Sequence, residues 1–378
     1  MKRVPLSPIV KDGLFILTLW LVSRLVIVIA LQWVAPLIVT TPVHLEWTWD
    51  ARPHDFIPGY VPKPGWEVFS HWDGKWYRTI AIEGYEYVQD GGQHSIAFFP
   101  LFPLLIRVVM TLGLPFEVAA VLVNNLAFLG AMSLLYFWAK ESQGTSVACW
   151  ATAVLAWCPS SLFCTVVYSE GLFLLITTAA LRAFDRNQYR QAAVWGALAS
   201  ATRVPGITLL PAFLFTAWKE RRPPTAYAAA VACSGGLLLF CSYAAIAFGN
   251  PLAFVKTQQG WQDYHLSWIA TLKAALSLQQ KELLLVLALC GSAYLLWHLR
   301  RRLPLVSIAY GVCGLLLLLV AGSASFYRYL YGIVTLSFGL GVVLANHRHW
   351  GYAILLFFAA SLFIEAIHFA AWDAVRWD

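Results

Sequence analysis

The sequence predicts an all-α polytopic membrane protein. Of its 378 residues, 60% are hydrophobic and only 12% are charged, and the mean hydropathy is +0.67. A soluble protein of this size needs more polar surface than that composition supplies. A membrane-spanning helix needs about 20 mostly apolar residues, and the chain contains enough such stretches for a bundle of roughly 9–11 transmembrane or partly crossing helices.

The apolar stretches define the predicted spans in chain order. The first follows a basic N-terminal group and is predicted to be an uncleaved span, because it is too long for a signal-peptide core and no small-residue cleavage site follows it. The second and fourth are short for a full crossing, and the sixth should break or hinge at Pro205. The candidate spans are Leu14–Ile38, Ala97–Leu112, Phe116–Ala139, Ser146–Trp157, Leu162–Leu181, Ala192–Trp218, Ala226–Phe248, Glu282–Trp297, Leu303–Gly322, Tyr327–Ala345 and Tyr352–Ala371.

The distribution of Lys and Arg predicts the orientation, because cytoplasmic loops carry an excess of these residues. Residues 39–96 form a predicted first extracytoplasmic loop, and residues 249–281 form a second extracytoplasmic segment of a single domain, 1–378. The predicted cytoplasmic loops carry Arg182, Arg186 and Arg190, then Lys219, Arg221 and Arg222, then Arg300, Arg301 and Arg302, and finally Arg348, and the basic N-terminus joins them.

This orientation leaves two points open. An odd number of crossings is required between Val39 and Lys140, where two helices are predicted, so either Ala97–Leu112 does not cross or a later short pair does not. Similarly, Arg190 and Lys219 share a face only if the break at Pro205 forms a hairpin.

The net charge and the cysteines point to the membrane as well. The formal net charge is +7, but the basic residues cluster in short loops, which favours the positive-inside pattern over a nucleic-acid surface. The seven cysteines lie in or beside apolar stretches, so we expect them to be packing residues. Neither a disulfide framework nor a zinc spacing is visible.

The polar segment from His71 to Arg78 holds the main candidate for chemistry, Asp73. In a helix over these residues, Trp72 and Trp76 share one face, and Asp73 and Tyr77 share the next. A carboxylate between aromatic rings at the rim of a bilayer suits a general base acting on a sugar hydroxyl. The alternative is that Asp73 is the N-cap of an interfacial helix, and the two roles are compatible.

Other charged residues within or beside the spans are further candidates. Glu170 opens an apolar helix, and intramembrane ionisable residues are functional candidates by default; a buried pair with Arg203 is the structural alternative. Arg24, Arg203 and Arg328 each present a planar fork of donors that suits a phosphate. Arg328 is the best of the three because it lies on the predicted side of Asp73, whereas Arg24 has a structural alternative inside the bundle.

Two outer segments carry weaker signals. The segment 248–261 ends in amides and an indole, at Gln258 and Trp261, which suit sugar recognition but equally fit a membrane-surface helix. In the first outer loop, Asp50, His54 and Asp55 offer ligands for a divalent cation, although a solvated loop is the more economical interpretation.

Several of these residues stand in blocks that resemble a known family. The blocks are His71-Trp72-Asp73 with Trp76-Tyr77, Ile80-Ala81 and Gly84-Tyr85; Phe98-Phe99-Pro100-Leu101-Phe102-Pro103-Leu104-Leu105-Ile106-Arg107; Tyr168-Ser169-Glu170 with Leu172-Phe173; Thr202-Arg203; and Gly249-Asn250-Pro251-Leu252-Ala253-Phe254 with Trp261. In this order, over residues 20–330, they resemble the PIG-V-type mannosyltransferases within the GT-C group of polyprenyl-phosphate-sugar-dependent glycosyltransferases.

The resemblance implies a GT-C-like bundle that transfers a mannosyl residue from dolichol- or polyprenyl-phosphate-mannose to a lipid-linked acceptor on the non-cytoplasmic face. It also implies that Asp73 is the base. Thr202-Arg203 is followed by Val204-Pro205-Gly206 where eukaryotic members have Ser-Asn-Gly, and long lumenal insertions are absent. These departures favour a bacterial homologue in the plasma membrane and leave the acceptor open.

The predicted reaction is an inverting displacement without metal or cofactor. Its partners are the polyprenyl-phosphate sugar donor, a lipid-linked or glycan acceptor and membrane lipids. A flippase for a lipid-linked sugar and a metal-dependent transferase that uses a pyrophosphate donor are the alternatives. The predicted roles are Asp73 as catalytic base; Arg328, Arg203 and Lys75 at the donor phosphate; and His71, Trp72, Trp76, Tyr77, Tyr168, Glu170, Gln258 and Trp261 at the sugar or acceptor.

Overall fold

The computed structural model describes residues 7–38, 61–258, 260, 268–321 and 325–371, and within these ranges the regular elements are all helices. The α-helices are α1 (Pro8–Ile29), α2 (Ala35–Ile38), α3 (Asp73–Ile82), α4 (Leu101–Met110), α5 (Phe116–Gln143), α6 (Thr145–Trp157), α7 (Glu170–Asp185), α8 (Tyr189–Thr202), α9 (Leu209–Lys219), α10 (Pro224–Ala232), α11 (Gly235–Phe248), α12 (Ala253–Thr257), α13 (Trp268–Leu276), α14 (Gln280–Leu299), α15 (Leu305–Ala321), α16 (Phe326–Tyr331), α17 (Val334–Asn346) and α18 (Arg348–Ala370). A π-helical turn, Ala30–Val34, joins α1 to α2.

The predicted all-α membrane bundle is confirmed. Among the described residues, five helical stretches are long and apolar enough to cross a membrane, and five shorter apolar helices accompany them. The five long stretches are Pro8–Ile38, Phe116–Gln143, Pro224–Phe248, Gln280–Leu299 and Arg348–Ala370.

Two predicted spans are wrong as continuous helices. The predicted helix Leu162–Leu181 is instead a 3₁₀ turn, Pro159–Cys164, followed by a short irregular stretch before α7. The side chain of Asn124 accounts for this break, because it bonds main-chain groups that a helix would pair internally. The predicted helix Tyr327–Ala345 divides between α16 and α17.

One end of the bundle carries most of the predicted cytoplasmic residues. The C-terminal end of α5 contacts the N-terminal end of α1, the C-terminal end of α7 and the α14–α15 turn, so all four lie on one face, here called the basic face. The contacts are Lys140 to Asp12 at 2.5 Å, Glu141 to Arg182 at 2.9 Å and to Arg186 at 2.6 Å, and Gln143 Nε2 to the Arg302 carbonyl at 2.7 Å.

Helix α4 stays on the opposite face, here called the site face. Arg107 in α4 donates to the Ala81 carbonyl at 2.7 Å, and Arg78 in α3 pairs with Glu117 at the start of α5 at 2.7 Å. A helix of ten residues is about 15 Å long, half the thickness of the hydrocarbon core. Since α3, α4 and the start of α5 lie together, α4 does not cross, which resolves the odd count of crossings.

The predicted break in the sixth span forms a hairpin. Phe184, at the end of α7, contacts Tyr189 at the start of α8 and stacks on Phe213 in α9, with ring centroids 5.6 and 4.0 Å apart. The chain therefore turns at the 3₁₀ segment that follows α8 and returns to the basic face along α9. Arg190 and Lys219 thus lie on the same face, as the orientation required.

Candidate functional site

Four charged side chains meet on the site face, and each comes from a different element. They are Asp73, the first residue of α3; Glu170, the first residue of α7; Arg203, directly after α8; and Arg328 in α16. Arg328 Nη1 lies 2.5 Å from Asp73 Oδ2, and Arg328 Nε lies 3.3 Å from Glu170 Oε1. Arg203 Nη1 binds the same Oε1 of Glu170. These four residues are called the charged cluster below.

The four side chains of the charged cluster differ in how far they are exposed to solvent. The side chain of Glu170 is 2% exposed, those of Arg203 and Arg328 are 11% and 13% exposed, and that of Asp73 is 23% exposed. Asp73 is therefore the more exposed of the two carboxylates in the charged cluster. Two carboxylates and two guanidinium groups balance in charge, which is the condition under which buried ions are tolerated.

Helix α3 directs Asp73 toward Arg328 rather than toward its own backbone. Trp72 precedes the helix at a φ of 50°, and the Asp73 N–H donates to the Tyr168 hydroxyl at 3.4 Å. The structural alternative that Asp73 is the N-cap is wrong: the cap residue is Trp72, and its side chain makes no capping hydrogen bond. The Asp73 carboxylate still benefits from the helix N-terminus, where negative charge is stabilised.

Asn124 in α5 holds the turn that presents Glu170. Its Nδ2 donates to the carbonyls of Phe163 and Val166, both at 2.8 Å, and its Oδ1 accepts from the Gly171 N–H at 2.8 Å. Asn124 is fully buried. Sequence reasoning missed this residue, although an amide in the middle of an apolar span was a usable signal.

The two carboxylate oxygens of Glu170 differ in their hydrogen bonding. Oε1 serves both arginines, but Oε2 is buried and has no hydrogen-bond partner among the described residues. A buried acceptor without a partner costs free energy until a donor supplies the missing bond. An incoming hydroxyl or water is therefore expected at this atom.

Aromatic rings enclose the arginines of the charged cluster. The guanidinium carbon of Arg328 lies 5.1 Å from the Tyr168 ring centroid and 5.8 Å from that of Tyr329, and Arg203 lies 5.2 Å from the Tyr329 ring. Such contacts support a cation on its apolar side while its polar edge stays free for anions. Tyr329 was not predicted as a site residue.

The predicted sugar residue Tyr77 lies beneath the charged cluster. Its hydroxyl is 2.9 Å from Ser169 Oγ, and its ring is buried. Burial raises the pKa of Tyr77 above its usual range, so this group is a neutral phenol at physiological pH. The pKa of Arg328 is raised as well: burial opposes its charge, but Asp73 and Glu170 outweigh burial.

The remaining predicted site residues surround the charged cluster or lie outside it. His71 and Trp72 pack against Phe369 of α18, with ring centroids 5.2 and 5.4 Å apart, and Trp76 stacks on Phe98 at 6.0 Å. The structure does not bring Lys75 or Gln258 into the charged cluster: Lys75 is exposed over the Trp76 ring, and Gln258 is exposed after α12. Trp261, Asp50, His54 and Asp55 lie outside the described residues.

Arg24 has a structural role. It is buried and donates to the Ser161 carbonyl at 2.7 Å, the Thr165 hydroxyl at 2.7 Å and the Ala156 carbonyl at 3.1 Å. These acceptors lie in the last turn of α6 and in the turn between α6 and α7. The structural alternative considered for Arg24 is therefore the one observed, and its donors are not available to a phosphate.

The second outer segment packs against the first. Asn250 donates to the Tyr87 hydroxyl at 3.1 Å, and Phe254 of α12 contacts Phe99 with centroids 5.5 Å apart. In the part of the chain that the structure describes, no group of three His, Cys, Asp or Glu side chains is placed to hold a metal ion.

Comparison with protein families gives a match over more than half of the chain. The model of the family described as Mannosyltransferase (PIG-V) matches residues 14–220. The GPI alpha-1,6-mannosyltransferase 2 of Homo sapiens is 29% identical over 149 residues, and that of Rattus norvegicus is 30% identical over 149 residues. Each match covers 36% of this chain and 29% of the relative, so the chain spans less than a third of these relatives' length.

Solved membrane glycosyltransferases share the fold. ArnT from Cupriavidus metallidurans, bound to undecaprenyl phosphate, superimposes with a TM-score of 0.57 at 14% identity over 90% of this chain and 62% of its own. An oligosaccharyltransferase from Archaeoglobus fulgidus, complexed with Zn and sulfate, gives 0.51 at 14% identity over 95% and 53%. At this identity the likeness concerns the fold alone, and it confirms the predicted GT-C architecture.

Proposed function

Since the chain belongs to the PIG-V mannosyltransferase family, we propose that it transfers a mannosyl, or closely related hexosyl, residue from a polyprenyl-phosphate donor to a lipid-linked or extracytoplasmic acceptor. The observation that carries this proposal is the contact between Asp73 and Arg328 at 2.5 Å. It places a candidate base beside a candidate phosphate ligand. Such a pair suits a reaction in which a hydroxyl attacks a sugar carbon bonded to a phosphate, once the substrates separate the two side chains.

The proposed reaction is a single displacement with inversion at the anomeric carbon. An acceptor hydroxyl loses its proton to Asp73 while its oxygen forms the new bond to the anomeric carbon. The bond between that carbon and the phosphate oxygen breaks, and its electron pair leaves with the polyprenyl phosphate. This leaving group is already anionic and needs no general acid, so the mechanism requires one carboxylate.

Arg328 has the central electrostatic role. Without substrate its Nη1 is engaged by Asp73, and the charged cluster as a whole is neutral. A donor phosphate adds negative charge and competes with Asp73 for the guanidinium fork. We therefore propose that donor binding draws Arg328 toward the phosphate and releases Asp73 to act as base. The same guanidinium then stabilises the charge that grows on the leaving phosphate.

Arg203 and Glu170 support that exchange. Glu170 contacts both arginines through one oxygen and is the least exposed member of the charged cluster, so it is proposed to remain a partner of Arg328 after Asp73 is released. Its unpartnered Oε2 is proposed to accept a hydrogen bond from a sugar hydroxyl. Lys75, exposed on α3, is proposed to assist the phosphate at the entrance of the site, and Gln258 and Trp261 remain predicted acceptor-side residues.

Different observations support the proposed donor class and the proposed location of the active site. ArnT, which shares the fold, binds undecaprenyl phosphate, and the family's curated relatives are mannosyltransferases. The charged cluster lies opposite the basic face, and the positive-inside rule puts a basic face in the cytoplasm. We therefore propose an extracytoplasmic active site, and the departure from the eukaryotic motif at Val204-Pro205-Gly206 supports the proposal that the membrane is a bacterial plasma membrane.

A reconstituted transfer assay tests the proposed function. The full chain, in liposomes with lipid extract as acceptor source, should move labelled mannose from polyprenyl-phosphate-mannose into a new glycolipid or glycan fraction. GDP-mannose and polyprenyl-pyrophosphate-mannose should not replace the donor, and EDTA should leave the rate unchanged. Loss of activity in EDTA, or a preference for the pyrophosphate donor, would favour the metal-dependent alternative.

A flippase for a lipid-linked sugar is the second candidate function. The break between α8 and α9, with Arg203 beside it, is a feature that transporters use for substrate binding. Transporters concentrate such charges near the membrane midplane, whereas Asp73 and Glu170 here open helices on the site face. Flipping of a fluorescent lipid-linked sugar without any glycosyl transfer would favour this candidate over the transferase.

A further inference from the structure

An apolar groove runs along the bundle between α14 and α15, separate from the charged cluster. Its volume is about 520 Å³, and its lining is almost entirely aliphatic. Leu289 and Leu319 lie toward one end, and Trp297 and Arg300 lie at the other, next to the turn on the basic face. The volume falls within the usual range of small-molecule sites, about 300–1,000 Å³.

Three consecutive arginines stand at the basic-face end of this groove. Arg300 lies over the Trp297 ring at 4.5 Å, and Arg301 and Arg302 follow it, all three exposed. Within the described ranges, none of these three guanidinium groups has an acidic partner. Elsewhere on the basic face, Glu141 pairs with Arg182 and Arg186, and Glu220 pairs with Arg222. Three consecutive arginines without such a carboxylate, in the part of the chain that the structure describes, concentrate positive charge at this end of the groove.

We propose that this groove, here called the lipid groove, binds an anionic diacyl phospholipid of the leaflet on the basic face. The acyl chain would lie along α14 and α15, and the phosphate would lie against Arg300, Arg301 and Arg302. Basic pockets between transmembrane helices on the cytoplasmic side suit such head groups, because each arginine near the surface adds attraction and the chain fills an apolar cleft. The stacked Arg300–Trp297 pair offers a charged group beside an apolar ring, as the junction between a lipid's phosphate and its acyl chain requires.

Geometry separates this ligand from the sugar donor. Helix α15, with 17 residues, rises about 25 Å from the turn that carries the arginines toward the site face, where Arg328 follows. A donor whose phosphate binds Arg328 cannot place the same phosphate at Arg300. The lipid groove therefore serves a second lipid, and this proposal does not depend on the proposed reaction.

Native mass spectrometry of the detergent-purified full chain tests the proposal. With equal amounts of phosphatidylglycerol and phosphatidylcholine added, the wild type should retain phosphatidylglycerol preferentially. Replacing Arg300, Arg301 and Arg302 together by Gln should weaken that retention at least tenfold, because three positive charges facing the phosphate are lost. The matched control replaces Arg190, Lys219 and Arg348 by Gln; it removes the same charge and should retain the lipid.

A second pair of variants tests the groove itself. Leu316→Trp fills the lipid groove and should weaken retention, whereas Leu239→Trp, on an exposed face of α11 away from the groove, should not. If both triple variants lost phosphatidylglycerol retention equally, general surface charge would explain the retention, and the proposal would be overturned. Unchanged retention in Leu316→Trp, or displacement of phosphatidylglycerol from the groove by added undecaprenyl phosphate, would overturn it as well. Thermal unfolding of each variant checks that it is folded.

Discussion

Replacing Glu170 by Gln should destabilise the fold by about 3–5 kcal/mol, the usual cost of breaking a buried ion pair from one side. The side chain is 2% exposed, and one of its oxygens serves both Arg203 and Arg328. Gln keeps the shape but removes the charge, so two arginines that are 11% and 13% exposed are left with Asp73 alone. The charged cluster changes from neutral to one excess positive charge.

Unfolding in mixed micelles with increasing SDS, followed by tryptophan fluorescence, measures this loss. Glu220→Gln is the matched control, because Glu220 pairs with Arg222 at 38% exposure and such pairs contribute at most about 1 kcal/mol. The double variant Glu170→Gln/Arg203→Gln restores the charge balance and should cost less than the sum of its parts by about 0.5–3 kcal/mol. A Glu170→Gln loss no larger than the control's, or strict additivity, would refute this account of the charged cluster.

Three further predictions concern the support of the site. Gly171→Ala should destabilise by about 1–3 kcal/mol, since its Cβ would clash with the main-chain carbonyl of Asn124, whereas Gly291→Ala has no neighbour within 4 Å and should be neutral or stabilising; equal effects on unfolding would contradict the packing. Asn124→Ala leaves buried main-chain groups without partners and should cost at least ~2 kcal/mol; unchanged unfolding and transfer rates would count against it. Because burial raises the pKa of Tyr77 in the folded state, its phenol ionises above about pH 10 only in the unfolded state. The free energy of unfolding should therefore fall as pH rises above about 10. In Tyr77→Phe the fall of the unfolding free energy with pH should be shallower by about 1.4 kcal/mol per pH unit. Identical slopes in the wild type and in Tyr77→Phe would exclude a contribution from Tyr77.

The sequence was sufficient for the architecture and for the neighbourhood of Asp73. Apolar runs and the Lys/Arg bias predicted most of the helices, the shared basic face and the break at Pro205, because these follow from composition and from chain stiffness. The bias also placed Arg328 on the side of Asp73. It did not predict their contact, since 255 residues separate the two and only the packing of α3 and α16 brings them together.

The wrongly predicted continuous helix Leu162–Leu181 has a physical explanation. A tight turn inside a membrane bundle is as apolar as a helix, provided that buried side chains bond its main chain. Arg24 and Asn124 do this for the turn between α6 and α7, so composition alone suggested a continuous helix there. The N-cap interpretation of Asp73 was wrong by one residue: α3 begins at Asp73 itself, and its carboxylate pairs with Arg328.

If Asp73 is the catalytic base, as proposed, mannosyl transfer depends on its carboxylate, and the rate of transfer by Asp73→Asn measures that dependence. Asp90→Asn is the matched control: Asp90 lies in the same outer segment and pairs with His94 on the surface. We expect Asp73→Asn to lower transfer at least ~100-fold while polyprenyl phosphate still binds, since Arg328 no longer has to leave Asp73. Asp90→Asn should transfer at the wild-type rate. Transfer by Asp73→Asn at a rate close to that of the control would contradict the proposed role of Asp73.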